Sequence, residues 1–317
     1  MVRRQISIFR YNETLGCIEY GQSETVMRPH SDPEIQRRWE AATTIALEAG
    51  RLTLEFFRRN SLTVDRKADT TPVTVADKMT ETMMRERIMA IFPEDAILGE
   101  EFGTTPGTTP GMTPGTTTDS GADGWLWVLD PIDGTKSFIH GVPLYGTLIG
   151  VGHRDSMGQY VPVIGVAVIP AVIPGGECVT AAIGGGAWVL REGQEPELAN
   201  VSNVATLAEA TLATSETKYF ALTGNSGLWE RLERTVGLAM SWGDAFGYVQ
   251  VALGRAEIMV DAGLSLWDGA AIVPIITEAG GRCSNWNGEP QIESGNLVAT
   301  NGRLHDELLR LLAKSEQ

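Results

Sequence analysis

Residues 127–135 read WVLDPIDGT, and the rest of the chain is arranged around them. An apolar run, Trp125 to Leu129, has the pattern of a buried strand, and it delivers Asp130 and Asp133 into a turn built by Pro131 and Gly134. Pro131 fixes its own φ and offers no N–H, so the backbone between the acids is stiff and the Ile132 carbonyl can face the same way as both side chains. Three hard oxygen donors then converge. Nothing basic lies between the acids, and crowded carboxylates either raise a pKa or take up a cation. An oxygen-only set suits Mg²⁺ or Mn²⁺. Gly134, Thr135, Lys136 and Ser137 continue the turn, whose small residues leave backbone N–H groups open, as anion-binding helix starts do. The competing reading is a tight turn with solvated acids, because Asp, Pro and Gly are common turn residues. The apolar strand feeding the turn and a second acidic constellation downstream weigh against it.

Upstream, Ser31 or Asp32 caps a long helix with Pro33 in its first turn and Ile35, Trp39, Ala42, Ile45, Ala49, Leu52 and Phe56 at helical spacing. A second helix starts at the cap Thr74 and ends near Pro93, with Asp77 where a capping-box acid belongs. It leads to AILGEEFG (96–103), a short strand whose end presents Glu100 and Glu101. Adjacent side chains on an extended segment point to opposite faces, so one of the two joins a given site. Residues 104–118 repeat TTPG-like units that cannot bury apolar surface, and are expected to be a disordered insertion. Lying between Glu100 and Asp130, it would hang over the entrance to a site.

Downstream, LYGTLIGVGH (144–153), YVPVIGVAVIP (160–170), ECVTAAIGG (177–185) and GAWVLRE (186–192) read as strands of a mostly antiparallel sheet. Residues 200–260 mix helix and strand, with a helix through Leu228 to Val236. Asp268 falls at the start of an apolar helix that Gly280 and Gly281 terminate, where an acid is also favoured as a simple N-cap. A strand at LVATN and an amphipathic helix, Leu304 to Leu312, close the chain.

Composition bounds the rest. With 317 residues, 43 % of them hydrophobic, the chain suits one large globular domain or two intimately packed ones. A net charge of −15 argues against nucleic acid or an anionic membrane as a partner. Cys17, Cys178 and Cys283 are odd in number and widely spaced, which fits a reducing cytoplasm. No run approaches a membrane span, and the start lacks a signal peptide's apolar stretch. Residues 1–32 are expected to be a poorly packed extension, in which IFRYNETLGCIEY would form an added strand or hairpin.

These pieces resemble the lithium-sensitive, Mg²⁺-dependent phosphomonoesterases of the inositol-monophosphatase superfamily. The likeness runs from about Pro33 to the C-terminus and rests on WVLDPIDGTKSF (127–138), WDGAAIVPIITEAGG (267–281) and the GEE at 99–101, in the family's order. The fold it implies is a layered α-β-α-β-α sandwich. Its halves are a metal-binding one at 33–195 and a substrate-side one at 196–317, with the boundary in the polar REGQEPE stretch. The resemblance implies metal ligands at Glu100, Asp130, the Ile132 carbonyl, Asp133 and Asp268, holding two or three Mg²⁺ ions. It implies a water-activating pair, Asp77 and Thr135, and a phosphate-binding turn at Gly134 and Thr135. Homodimers are common in the family, and the histidines take no role.

The substrate is decided elsewhere. SWGDAFGY (241–248) is similar to the GDxxGY segment of the superfamily's histidinol-phosphate phosphatases, as are DRKADTTPVTVADK (65–78) and LVATNGRLHDELL (297–309). Gly243, Asp244, Ala245 and Asp261 are the expected substrate contacts, because carboxylates at Asp244 and Asp261 offer charge-assisted hydrogen bonds to the ammonium and imidazole of histidinol phosphate. That points to a place in histidine biosynthesis. Asp244 also reads as a helix N-cap. In that case a broad inositol or sugar phosphatase would prefer inositol 1-phosphate. A non-catalytic metal- or phosphate-binding regulator is the remaining rival, and it would be expected to have lost one of the site residues.

Overall fold

A computed structural model of the chain describes residues 7–12, 17–22, 29–59, 64–66, 72–108 and 124–313. First come a hairpin of β1 (Ser7–Asn12) and β2 (Cys17–Gln22), helix α1 (Pro33–Leu54), the pair β3 (Val64–Arg66) and β4 (Pro72–Thr74), and helix α2 (Val75–Ile91). Strands β5 (Ala96–Gly99), β6 (Gly103–Thr105) and β7 (Trp125–Asp133) lead to the short helix α3 (Thr135–Ile139). Next are β8 (Gly146–Arg154), β9 (Tyr160–Ile169), β10 (Glu177–Ala182), β11 (Gly186–Arg191), β12 (Glu197–Leu198), β13 (Thr211–Ala213), α4 (Lys218–Leu222), α5 (Ser226–Glu233) and β14 (Leu238–Met240). The chain finishes with α6 (Asp244–Ala252), β15 (Ile258–Ala262), α7 (Leu266–Ala270), α8 (Ile272–Glu278), β16 (Arg282–Ser284), β17 (Asn296–Thr300) and α9 (His305–Leu312).

Two sheets carry the architecture. The larger runs β12-β11-β10-β9-β8-β7-β5-β6, and within it only β5 and β7 pair in parallel. The smaller runs β14-β13-β15-β17-β16. Helices α1 and α2 cover one face of the larger sheet, where Trp39, Ile45, Met84 and Ile88 pack against Trp127, Ile149 and Ile164. Helices α6 and α8 lie between the sheets, with Val249, Ile272 and Ile275 packed among Leu148, Ala167, Met259 and Leu297. Phe220, Leu232 and Leu308 of α4, α5 and α9 close the far face of the smaller sheet over Leu212, Ile258 and Val298. The result is the expected α-β-α-β-α sandwich. Because helices cover both faces of the larger sheet, β7 reads as one apolar run instead of alternating.

Caps set the helix starts. Asp32 accepts the Glu34 and Ile35 amides ahead of Pro33, and Thr74 with Asp77 forms a reciprocal capping box on α2. Elsewhere the structure corrects the sequence reading. The apolar helix expected between Asp268 and Gly280 is two, because Pro274 has no N–H to give the Ala270 carbonyl and the helix breaks at Ala271. The insertion expected to be structureless from residue 104 starts as a strand: Thr104 and Thr105 pair with Leu98 and Ile97, and the Thr108 amide bonds the Pro93 carbonyl at 2.8 Å. Residues 109–118, and the lid expected of them, lie outside the described residues. The hairpin anticipated near the N-terminus is β1–β2. Among the described residues, no helix is long and apolar enough to cross a membrane.

Candidate active site

Asp130 and Asp133 stand three residues apart, and strict strand alternation would send them to opposite faces. The sequence reading placed a Pro-Gly turn here. Instead β7 runs on through Asp133, and its pairing with β8 slips between Asp130, opposite Leu148, and Asp133, opposite Gly146. This bulge resets the alternation and leaves both carboxylates on one side. The Ile132 amide donates to Asp130 Oδ1 at 3.1 Å, and the Thr135 hydroxyl to the Ile132 carbonyl at 3.1 Å. Gly134 then turns the chain at φ +86°, where a Cβ would lie 2.8 Å from Asp244 Oδ2.

Two further elements bring acids to this strand end. Helix α7 packs straight onto β8, since a Cβ on Gly150 would come within 2.6 Å of the Ala270 Cβ. Near the start of that helix, Asp268 accepts the Ser265 amide at 2.6 Å as the second half of a capping box. It therefore caps and faces the site at once. One oxygen each of Asp130, Asp133 and Asp268 falls within 4.8 Å of the others. Strand β5, parallel to β7, ends on the same side and delivers Glu100, whose carboxyl shares a hydrogen bond with Asp130. The Glu101 amide donates to Glu81 at 2.7 Å, which fixes the course of the chain after Glu100. Asp77 binds the Thr74 amide and hydroxyl through Oδ2 (2.8 and 2.6 Å), and its Oδ1 is buried without a hydrogen-bond partner.

The electrostatics follow from this crowding. Burial, then the charges of Glu100, Asp133 and Asp268, holds Asp130 well above the usual carboxylate range. Burial and Asp244 do the same to Asp133. Burial pushes Asp268 up to about 7 and Asp77 to about 6, the latter against the pull of Thr74. Four stacked acids, a carbonyl nearby and an orphaned buried carboxylate oxygen fit a hard divalent cation, which would keep them ionised together.

The substrate side is built from the smaller sheet. Asp133, Ser215, Tyr219, Asp244, Asp261 and Asp268 line a cleft of about 150 Å³. Asp244 is not the helix N-cap: Gly243 takes that place, and Asp244 stands at φ +56° as the first residue of α6. The Ala245 amide donates to Asp133 Oδ2. Asp261 is 2 % exposed, and its oxygens are already engaged by Thr214 and Ser215. Lys136 bridges to Glu216 at 2.5 Å and the Tyr219 hydroxyl at 3.2 Å. Sequence reasoning missed Glu81, Ser215, Glu216 and Tyr219. The polar run SETKY at 215–219, following the strand TLA, was the signal for the last three.

The chain belongs to the inositol monophosphatase family, whose profile matches residues 34–317. A histidinol-phosphatase of Chlorobaculum parvum is 37 % identical to it over 279 residues, 88 % of this chain and 97 % of that protein. An inositol-1-monophosphatase of Synechocystis is 28 % identical, covering 92 % of this chain and 95 % of its own. The structure of an inositol monophosphatase from Anabaena superposes with a TM-score of 0.70 at 28 % identity, over 88 % of this chain and 96 % of that one. Like these relatives, the protein is a phosphoric monoester hydrolase.

Proposed function

We propose that the enzyme hydrolyses L-histidinol phosphate to L-histidinol and phosphate with Mg²⁺ held by Glu100, Asp130, the Ile132 carbonyl, Asp133 and Asp268. When bound, the cation lowers the pKa of a water and neutralises charge on the phosphate and the leaving oxygen. The chain's own groups do the rest. Asp77 Oδ1, free of protein partners, accepts a proton, and the Thr135 hydroxyl orients the water. The Gly134–Thr135 turn receives the phosphate, and its glycine leaves room for Asp244 alongside.

The observation that carries the substrate reading is the placement of Asp244. It lines the cleft directly against Gly134, so a phosphate in the turn would put the alcohol half of the ester beside a carboxylate. A positive φ at a non-glycine residue is costly and tends to occur where a ligand site requires it. A cationic alcohol gains from that carboxylate, and a neutral polyol does not need it. The name of the 37 %-identical Chlorobaculum parvum relative supports the same reading.

The test is Mg²⁺-dependent phosphate release from histidinol phosphate, inositol 1-phosphate, fructose 1,6-bisphosphate and 3′-phosphoadenosine 5′-phosphate, for wild type and Asp244→Asn. Histidinol phosphate is expected to give the highest kcat/KM, with its advantage lost in the variant. A higher value for inositol 1-phosphate would replace the reading with a polyol phosphatase.

A further inference from the structure

Asp261, expected among the substrate contacts, lines the cleft and is hydrogen-bonded to Thr214 and Ser215. We propose that Asp261 is a positioning residue for specificity, which acts through Ser215 to hold Asp244 in the conformation that turns its carboxylate into the cleft. The inference rests on reading Asp244 as the partner of the substrate's cation.

The argument is one of hydrogen-bond direction. Asp261 Oδ1 accepts the Thr214 hydroxyl at 3.0 Å and the Ser215 amide at 2.7 Å. Its Oδ2 accepts the Ser215 hydroxyl at 2.8 Å. A hydroxyl has one proton, and Asp261 takes it, so toward any other neighbour Ser215 Oγ can only accept. That neighbour is the Asp244 amide, which donates to it at 2.8 Å. The next amide, Ala245, is claimed by the ligand Asp133. The first two amides of α6 are thus fixed by two acceptors on different sides, and between them residue 244 stands at φ +56°. Aspartate tolerates the left-handed region better than most non-glycine residues, yet still favours negative φ when its backbone is released. Without an oriented acceptor at Ser215, Asp244 would relax and its carboxylate would leave the face of Gly134. Three of the roughly four acceptor positions of Asp261 are filled inside the protein.

The test compares kcat/KM on histidinol phosphate and inositol 1-phosphate for Ser215→Ala, Ser215→Thr, Asp261→Asn and the Ser215→Ala/Asp261→Asn double variant. The ratio of the two values is expected to fall about tenfold in Ser215→Ala and in Asp261→Asn, mainly through KM on the cationic ester, the loss of one aligning bond. Ser215→Thr keeps the hydroxyl and restores the ratio, and the double variant loses no more than either single one. Equal losses on both esters, an unchanged ratio, or losses that multiply in the double variant would overturn the positioning role. Ser215→Ala carries the test should Asp261→Asn fail to fold. Asp244→Asn separates the layers: if it abolishes the preference while Ser215→Ala keeps it, only the positioning role falls. If Asp244→Asn itself keeps the preference, the substrate reading falls and the inference with it.

Discussion

At the residue scale, the site is a set of acids held where they would not choose to be ionised. Asp130 is 1 % exposed and faces Glu100, Asp133 and Asp268. Such a group contributes little to the fold on its own and a great deal to a bound cation. Asp130→Asn is therefore expected to lower kcat by about a thousandfold, or ~4 kcal/mol of transition-state stabilisation, while the metal-free protein melts at or above the wild-type temperature. Retention of most activity, or a lower metal-free melting temperature, would contradict the metal assignment. Asp130 and Asp133 were legible in the sequence because the residues that set them are local: Pro131 stiffens the link and Gly134 makes the turn, whereas Glu100 and Asp268, far along the chain, were assigned as ligands only by the family resemblance. Ser215 was not legible, because its role depends on Asp261 and Asp244, 46 and 29 residues away along the chain. No local pattern records which hydroxyl meets which carboxylate.

At the scale of elements, β7 has to be anchored at its start for its end to be precise in space. Asp95 does this. It accepts two bonds from the Arg38 guanidinium of α1, each 2.8 Å, and one from the Trp127 indole, also 2.8 Å, in a site where Arg38 is 2 % and Asp95 4 % exposed. Removing the acid leaves the buried guanidinium only the exposed carboxylates of Glu34 and Glu94, 2.7 and 3.9 Å away, so Asp95→Ala is expected to cost about 3 kcal/mol in denaturant unfolding, and a loss below about 1 kcal/mol would show the pair to be dispensable. Helix α9 is tied in differently, by His305, whose ring meets the Ser284 hydroxyl of β16 at 2.9 Å and the Thr300 hydroxyl of β17 at 3.1 Å. Burial, with Arg282 adding, pushes His305 down from 6.5 to about 4. The unfolded chain then binds a proton that the folded one refuses, so this stability is complete above pH 6.5 and is lost progressively from there toward pH 4. The raised Asp77, Asp244 and Asp268 have the opposite sign over much of that range, so the histidine is isolated by comparison with His305→Asn. On acidification through this range the wild-type Tm should drop relative to that of the variant, and parallel curves would remove His305 as the cause. Helix and strand identities were readable because caps and apolar periods are local. The bulge between Asp130 and Asp133 was not, because register belongs to a pair of strands and β8 had to be placed first.

For the whole molecule, the question is whether its excess negative charge is only a surface property. The chain carries a net charge of −15, and screening alone would let any salt relieve the repulsion. Much of the unfavourable part, however, is concentrated among buried acids at the ends of β5, β7 and α7, where bulk ions screen poorly and a bound divalent ion acts directly. A ligand at a hundredfold excess over its Kd stabilises by about 2.7 kcal/mol, which in a chain of this size corresponds to a rise in Tm of roughly 4 °C. Millimolar Mg²⁺ is therefore expected to raise Tm by several degrees, chelator to reverse the rise, and KCl at matched ionic strength to reproduce little of it. Asp130→Asn keeps the surface charge almost intact while removing one buried ligand, so it should lose most of the Mg²⁺ effect and keep the small KCl effect. If KCl matched Mg²⁺, or Asp130→Asn responded as fully as the wild type, the stabilisation would belong to the surface. The acidic core would then be no binding site, and the hydrolysis proposed for it would lose its metal.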